Sequence, residues 1–149
     1  MSVKDALFAF CEGFVQERLD RIRTRITAVE ASLGSETKSS AGDKHETGRA
    51  MVQLEREKLG MQLAEAEKMQ QLMAKVPKNS SSSTVSLGSL VKTNAQRYFL
   101  SISAGAYTQD MVTVYCVSPA TPIGRGLLGK AVGDSFVFNG KTIEIFEIS

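Results

Sequence analysis

Residues 77–84 set the strongest limit on what this chain can become. Pro77-Lys78-Asn79, followed by Ser80 to Ser83 and Thr84, carry no apolar periodicity and are rich in turn formers, so no regular element is expected to cross them. Before them apolar residues recur at helical spacing, and after them the pattern shifts toward alternation. Two kinds of architecture must therefore be built from 149 residues, the mass of one ordinary domain or two very small ones.

From about Lys4 to Leu33, Leu19, Ile22, Ile26, Val29 and Leu33 fall at a 3-4-3-4 spacing, which marks one stripe of a helix. Phe10 and Phe14 carry the same face toward the N-terminus. From about Thr47 to Ala74, a stretch without proline places Val52, Leu59, Leu63, Ala66, Met69 and Met73 along one side of a second helix. Between them Gly34 to Asp43 holds helix breakers and polar residues, so the two helices are expected to fold back as an antiparallel coiled-coil hairpin over 1–76. Each arm of roughly 30 residues would reach about 45 Å. A hairpin buries only a narrow seam, so such length needs a reason other than core formation.

Beyond the linker at 77–84, β-branched and aromatic residues predict strands at Ser89 to Thr93, Arg97 to Ser103, Met111 to Val117, Ser135 to Phe138 and Thr142 to Ile148. Asn139-Gly140 between the last two is a strong hairpin signal, because both central positions of a type I′ turn need positive φ. Pro122 to Lys130 predicts a short helix. The stretch 85–149 is thus expected as a small, mostly antiparallel sheet with one short helix, which makes the whole chain α+β.

Composition removes several function classes. Hydrophobic residues at 42% with 23% charged fit a globular chain, and the absence of Trp with 7% aromatics speaks against a deep aromatic pocket. Charge is balanced through Val76, 12 basic against 12 acidic, and is 6 against 4 from Pro77 onward, too even for an autonomous nucleic-acid binder. No apolar run approaches the roughly 18 residues a spanning helix needs, and the N-terminal segment lacks the pattern of a secretory signal, so a cytoplasmic protein without membrane partners is expected. Cys11 and Cys116, far apart in sequence, are expected as reduced buried thiols.

Chemistry concentrates at the expected tip. Asp43 and Glu46 stand three residues apart in Gly42-Asp43-Lys44-His45-Glu46, a spacing that lets two carboxylates point the same way from the start of the second helix. The same pair also fits a capping box. His45 is the only histidine and lacks the ligand partners of a structural zinc site, so no autonomous metal centre is expected. Arg18, Arg21, Arg23 and Arg25 form the densest basic run. They read either as a solvated face paired with acids such as Glu17 and Asp20, or as a contact to nucleic-acid backbone or an acidic protein surface, with Arg18, Arg21 and Arg25 the candidates for touching RNA. Gly124, Gly126 and Gly129 lack the order of a phosphate loop and read as a glycine-punctuated helical turn packed on the sheet. No thiol-imidazole pair is apparent, which speaks against Cys-His acyl transfer.

Taken in order, a long coiled coil, Gly-Asp-x-x-Glu at its tip, a linker and a small β-rich domain, the chain resembles the GreA/GreB family of bacterial transcript cleavage factors. Ser118-Pro119 through Pro122-Ile123-Gly124-Arg125-Gly126-Leu127-Leu128-Gly129-Lys130 is similar to that family's Ser-Pro-Ile-x-x-x-Leu-x-Gly-Lys signature. The resemblance implies an FKBP-like C-terminal domain that docks on RNA polymerase, with Ser118, Pro119, Ile123, Arg125, Leu127, Gly129 and Lys130 as docking residues, while the coiled coil enters the secondary channel. It further implies that Asp43 and Glu46 help hold the second Mg²⁺ of the polymerase active centre, which cleaves backtracked nascent RNA. The factor would then be a monomer and not itself an enzyme. Competing expectations are a channel regulator that does not cleave, a coiled-coil adaptor that pairs with another chain, and a peptidyl-prolyl isomerase, the last weakened by the missing Trp.

Overall fold

The computed structural model describes residues 2–38, 43–79 and 82–149, except the side chains of 35–38 and 43–45. It divides into two compact units, Val15–Gln70 and a second made of Met1–Phe14 with Gln71–Ser149. The boundaries thus differ from the 1–76, 77–84 and 85–149 division read from composition, because the first turns of one helix and the last of the other group with the sheet.

Helix α1 spans Val3–Lys38 and α2 spans Asp43–Lys75. A reciprocal cap starts α1: the Asp5 N–H donates to Ser2 Oγ and the Ser2 N–H donates to Asp5 Oδ2, both at 3.1 Å. The Ser2 backbone bond first, and the Ser2 hydroxyl second, hold the Asp5 carboxyl below its usual range. The expected break at Gly34 does not occur, and α2 begins at Asp43 instead of near Thr47. A helical glycine costs only about 1 kcal/mol, whereas each residue added to an existing helix closes another hydrogen bond.

In the Val15–Gln70 unit the two helices pack against each other. Val15, Leu19, Ile22 and Ile26 of α1 and Leu59 and Ala66 of α2 are buried, while Val29, Leu33, Val52, Leu63 and Met69 are half-buried. Arg18 to Arg25 share a groove with residues 58–66, whereas Arg25 and Glu30 pair with Glu55 and Arg56 at 3.0 and 3.1 Å. Ascending α1 thus means descending α2, the antiparallel sense expected of the hairpin.

In the second unit, strands β1 Leu90–Thr93, β2 Arg97–Leu100, β3 Gly105–Gln109, β4 Val112–Val117, β5 Ser135–Phe138 and β6 Lys141–Ile148 form one sheet in the order β3-β4-β2-β1-β6-β5. Only β2 and β4 run parallel among these neighbours. β3 is the strand that alternation missed: four of its five residues are exposed, so no buried period marks it in Gly105-Ala106-Tyr107-Thr108-Gln109. The strand expected to Ser103 ends at Leu100, although Ser101 and Ile102 stay buried. Asn139 and Gly140, with φ of 51° and 75°, close the β5–β6 hairpin as predicted.

Both faces of β2 are covered, which explains its run of consecutive buried residues. Tyr98 and Leu100 join Val85, Val91, Ile123, Leu127 and Ile145 in one cluster. Phe99, on the alternate face, meets Phe8 of α1 edge-on, with ring centroids 5.7 Å apart. The face of α1 that enters this unit is Leu7, Phe8 and Cys11, all buried; Phe10 and Phe14, expected to carry the stripe, are only half-buried. Helix α3 covers Pro122–Leu127, shorter than the expected run to Lys130, because Gly129 takes a φ of 83°.

Candidate functional site

Asp43 is the first residue of α2 and Glu46 lies exposed in its first turn, so the sequence pair stands where the hairpin reverses. The side chains of Asp43 and His45 lie outside the described residues. Carboxylates are hard, acceptor-only ligands suited to Mg²⁺. Asp43 and Glu46 supply fewer oxygens than the octahedral shell of that ion needs, so they fit a shared site better than one of their own. Among the described residues no group of three or more His, Cys, Asp or Glu could hold a metal ion.

Around α3 the docking residues implied by the family signature divide by burial. Ile123 and Leu127 are 8% and 0% exposed and belong to the core cluster, so they cannot touch a partner directly and instead fix the segment to the sheet. Arg125 and Gly129 are exposed, and Ser118, Pro119 and Lys130 are half-buried. The Lys130 ammonium lies 5.9 Å from the centre of the Phe136 ring. Thr121 organises the turn: its hydroxyl donates to the Ser118 carbonyl at 2.7 Å and accepts from the Gly124 N–H at 3.1 Å. The Gly129 N–H donates to the Val85 carbonyl, and the Val85 N–H donates to that of Lys130, both at 2.8 Å. These bonds tie both ends of α3, on which Arg125 is exposed.

The arginine run lines a groove on one side of the hairpin. A cavity of about 490 Å³ is bounded by Arg18, Arg21 and Arg25 from α1 and by Lys58, Met61 and Glu65 from α2, over Ile22 and Ala66. Of the acids expected to neutralise the run, Glu17 reaches Arg21 only at 3.9 Å, and Asp20 accepts from Gln16 Nε2 at 2.9 Å. Arg25 is paired across the hairpin with Glu55 at 3.0 Å. Sequence reading missed the α2 wall. Its signal is Lys58, Met61 and Glu65 at 3-4 spacing, a row that Met51 and Leu54 continue along α2 outside the groove lining and that periodicity alone does not separate from the core stripe.

Cys11 and Cys116 are free and buried, as expected. The fold brings them together: the hydrogen bond with Cys11, and then burial, push the Cys116 thiol up, and Cys11 Sγ lies 3.6 Å from Ser101 Oγ. The same hydrogen bond with Cys116 holds the Cys11 thiol below its usual range. Among the described residues no helix is long and apolar enough to cross a membrane.

Fold and site together define an α+β protein in which one compact unit is an antiparallel helical hairpin and the other a six-stranded sheet with a short helix. No family model and no curated protein matches the chain. Among solved structures it is similar to the transcription factor Gfh1, at 20% identity over 91% of this chain and 92% of that one, with a TM-score of 0.36.

Proposed function

We propose that this protein is a Gre-like transcription factor that binds RNA polymerase, enters its secondary channel with the hairpin and stimulates cleavage of backtracked nascent RNA. The observation that carries this reading is the position of Asp43 and Glu46 in the first turn of α2, where the hairpin reverses, with Glu46 exposed. Carboxylates there can reach a cation that the protein does not itself enclose. Asp43 and Glu46 would help hold a Mg²⁺ of the polymerase, which would supply an activated water for phosphodiester hydrolysis, and this chain would contribute only acceptor oxygens. The polymerase remains the enzyme. Arg125 and Gly129, with Ser118, Pro119 and Lys130 at their flanks, form the docking face, and Ile123 and Leu127 hold it in shape.

The test is a cleavage assay on a stalled, backtracked complex with the protein's own polymerase. Wild-type protein is expected to accelerate cleavage, and Asp43→Asn or Glu46→Gln to lower that acceleration by about 100-fold or more, the scale of losing a charge-stabilising group, while binding to polymerase is retained. Equal cleavage with wild type and both variants refutes the role of the tip. Wild-type protein that binds and alters pausing without cleavage would replace the reading with a non-cleaving occupant of the same channel.

A further inference from the structure

We propose that the groove on the hairpin is the seat of a third helix, an acidic amphipathic helix contributed by a partner protein. The inference goes beyond the polymerase reading and does not require it. Helix α2 carries two apolar stripes. One, with Leu59 and Ala66, is buried against α1. The other, Met51, Leu54 and Met61, is 66%, 65% and 73% exposed, although it follows the same 3-4 progression with Lys58 at the intervening position. A two-helix hairpin uses one stripe per helix, so the second is surplus to its own packing and has the spacing of a helix-binding seam. Methionines at such a seam adapt to the side chains they meet.

Charge selects the occupant. Arg18, Arg21 and Arg25 stand at 3-4 spacing along the opposite wall, and with Lys58 they place four cations around a floor of Ile22 and Ala66. Of the acids, Glu55 is bound to Arg25, Glu17 lies 3.9 Å from Arg21 on the outer side of α1, and Glu65, the one acid in the lining, lies 3.6 Å from Lys68. A helix with apolar residues on one side and Asp or Glu flanking them satisfies both walls at once. RNA satisfies only the cations: among the described residues no aromatic ring lines the groove, so bases have nothing to stack on. A second copy of this chain would bring the same lining, four cations with Glu65, to the other side of the seam and leave that excess positive charge uncompensated.

The experiment titrates the full chain against a fluorescein-labelled synthetic helix with Leu at its a and d positions and Glu at e and g, read by anisotropy. The same helix with Lys in place of Glu and a labelled oligouridine serve as the comparison probes. The acidic helix is expected to bind at least about tenfold more tightly than either, to weaken with added salt, and to lose about tenfold on Arg21→Glu and on the combined Met51→Gln, Leu54→Gln, Met61→Gln change. All four positions are solvent-exposed, and circular dichroism verifies that helix content is kept. The proposal is overturned if the acidic helix fails to bind or binds no better than the basic one. It is equally overturned if neither variant weakens binding, if oligouridine is the preferred probe, or if sedimentation shows a dimer that the apolar change dissolves.

Discussion

Met111 occupies a conformation that disfavours it. It follows Asp110 in the turn between β3 and β4, and their φ values of 66° and 52° place both in the left-handed region, where a type I′ turn normally sets glycine second. Its side chain is 99% exposed and so recovers nothing by packing. Met111→Gly is expected to raise stability by about 1 kcal/mol, read as a higher urea midpoint at constant slope; a lower midpoint would mean that the side chain is held by contacts after all. Tyr98 gives a residue-scale pH effect. Burial first, and Tyr115 second, push its phenol up, so the folded state favours the neutral form. That contribution is complete below the ordinary tyrosine value near 10 and is lost as pH rises through the higher folded value. Tyr98→Phe should therefore flatten the alkaline fall in melting temperature, and an identical fall in the variant would discount the group. The glycines of the signature segment show how far sequence goes at this scale. Their spacing was legible, but their reasons were not: a Cβ on Gly124 would strike the Ser118 carbonyl, and one on Gly126 the Phe136 ring. Such close approaches come from chain segments that only the fold brings together.

Helix α1 shows the same limit among whole elements. Its central stripe, Leu19, Ile22 and Ile26, was legible because a single partner helix selects a single 3-4 face. Toward the N-terminus the partner becomes a sheet, and the buried face becomes Leu7, Phe8 and Cys11. Phe8, 5% exposed against Phe99, is consequently an anchor that a coiled-coil register does not single out. Phe8→Ala is expected to cost about 3 kcal/mol by calorimetry or urea unfolding, and Phe10→Ala, at a half-buried position beside Tyr107, distinctly less; the reverse order would contradict this packing. Strand β3 escaped for a complementary reason, since an exposed edge strand has no buried face to impose alternation. At the candidate site, the position of Asp43 and Glu46 near the reversal was readable from turn chemistry. The burial of Ile123 and Leu127 was not, because apolar signature residues look alike whether they face a partner or the core.

For the molecule as a whole, the division into two compact units predicts unequal local stability along single helices. The Val15–Gln70 unit relies on one seam between two helices, whereas the unit containing the sheet closes a cluster of Val85, Val91, Tyr98, Leu100, Ile123, Leu127 and Ile145 on one face and seats Phe8 against Phe99 on the other. Apolar burial dominates the free energy of opening, so amides within the narrow seam should open at lower cost than those of the central strands. Exchange at Ile22, Ile26 and Leu59 is expected to run at least about a hundredfold faster than at Val91, Leu100 and Ile145, equivalent to roughly 2.7 kcal/mol of opening free energy, with protection along α1 falling between Cys11 and Ile26. Native-state hydrogen exchange read by NMR measures this directly. Uniform protection from Cys11 to Ile26 would show instead that the hairpin opens only with the sheet. The same measurement bears on the groove, because a third helix laid over Met51, Leu54 and Met61 adds a second seam, and saturation with the acidic synthetic helix should slow exchange at Ile22 and Leu59 while leaving Val91 and Ile145 unchanged.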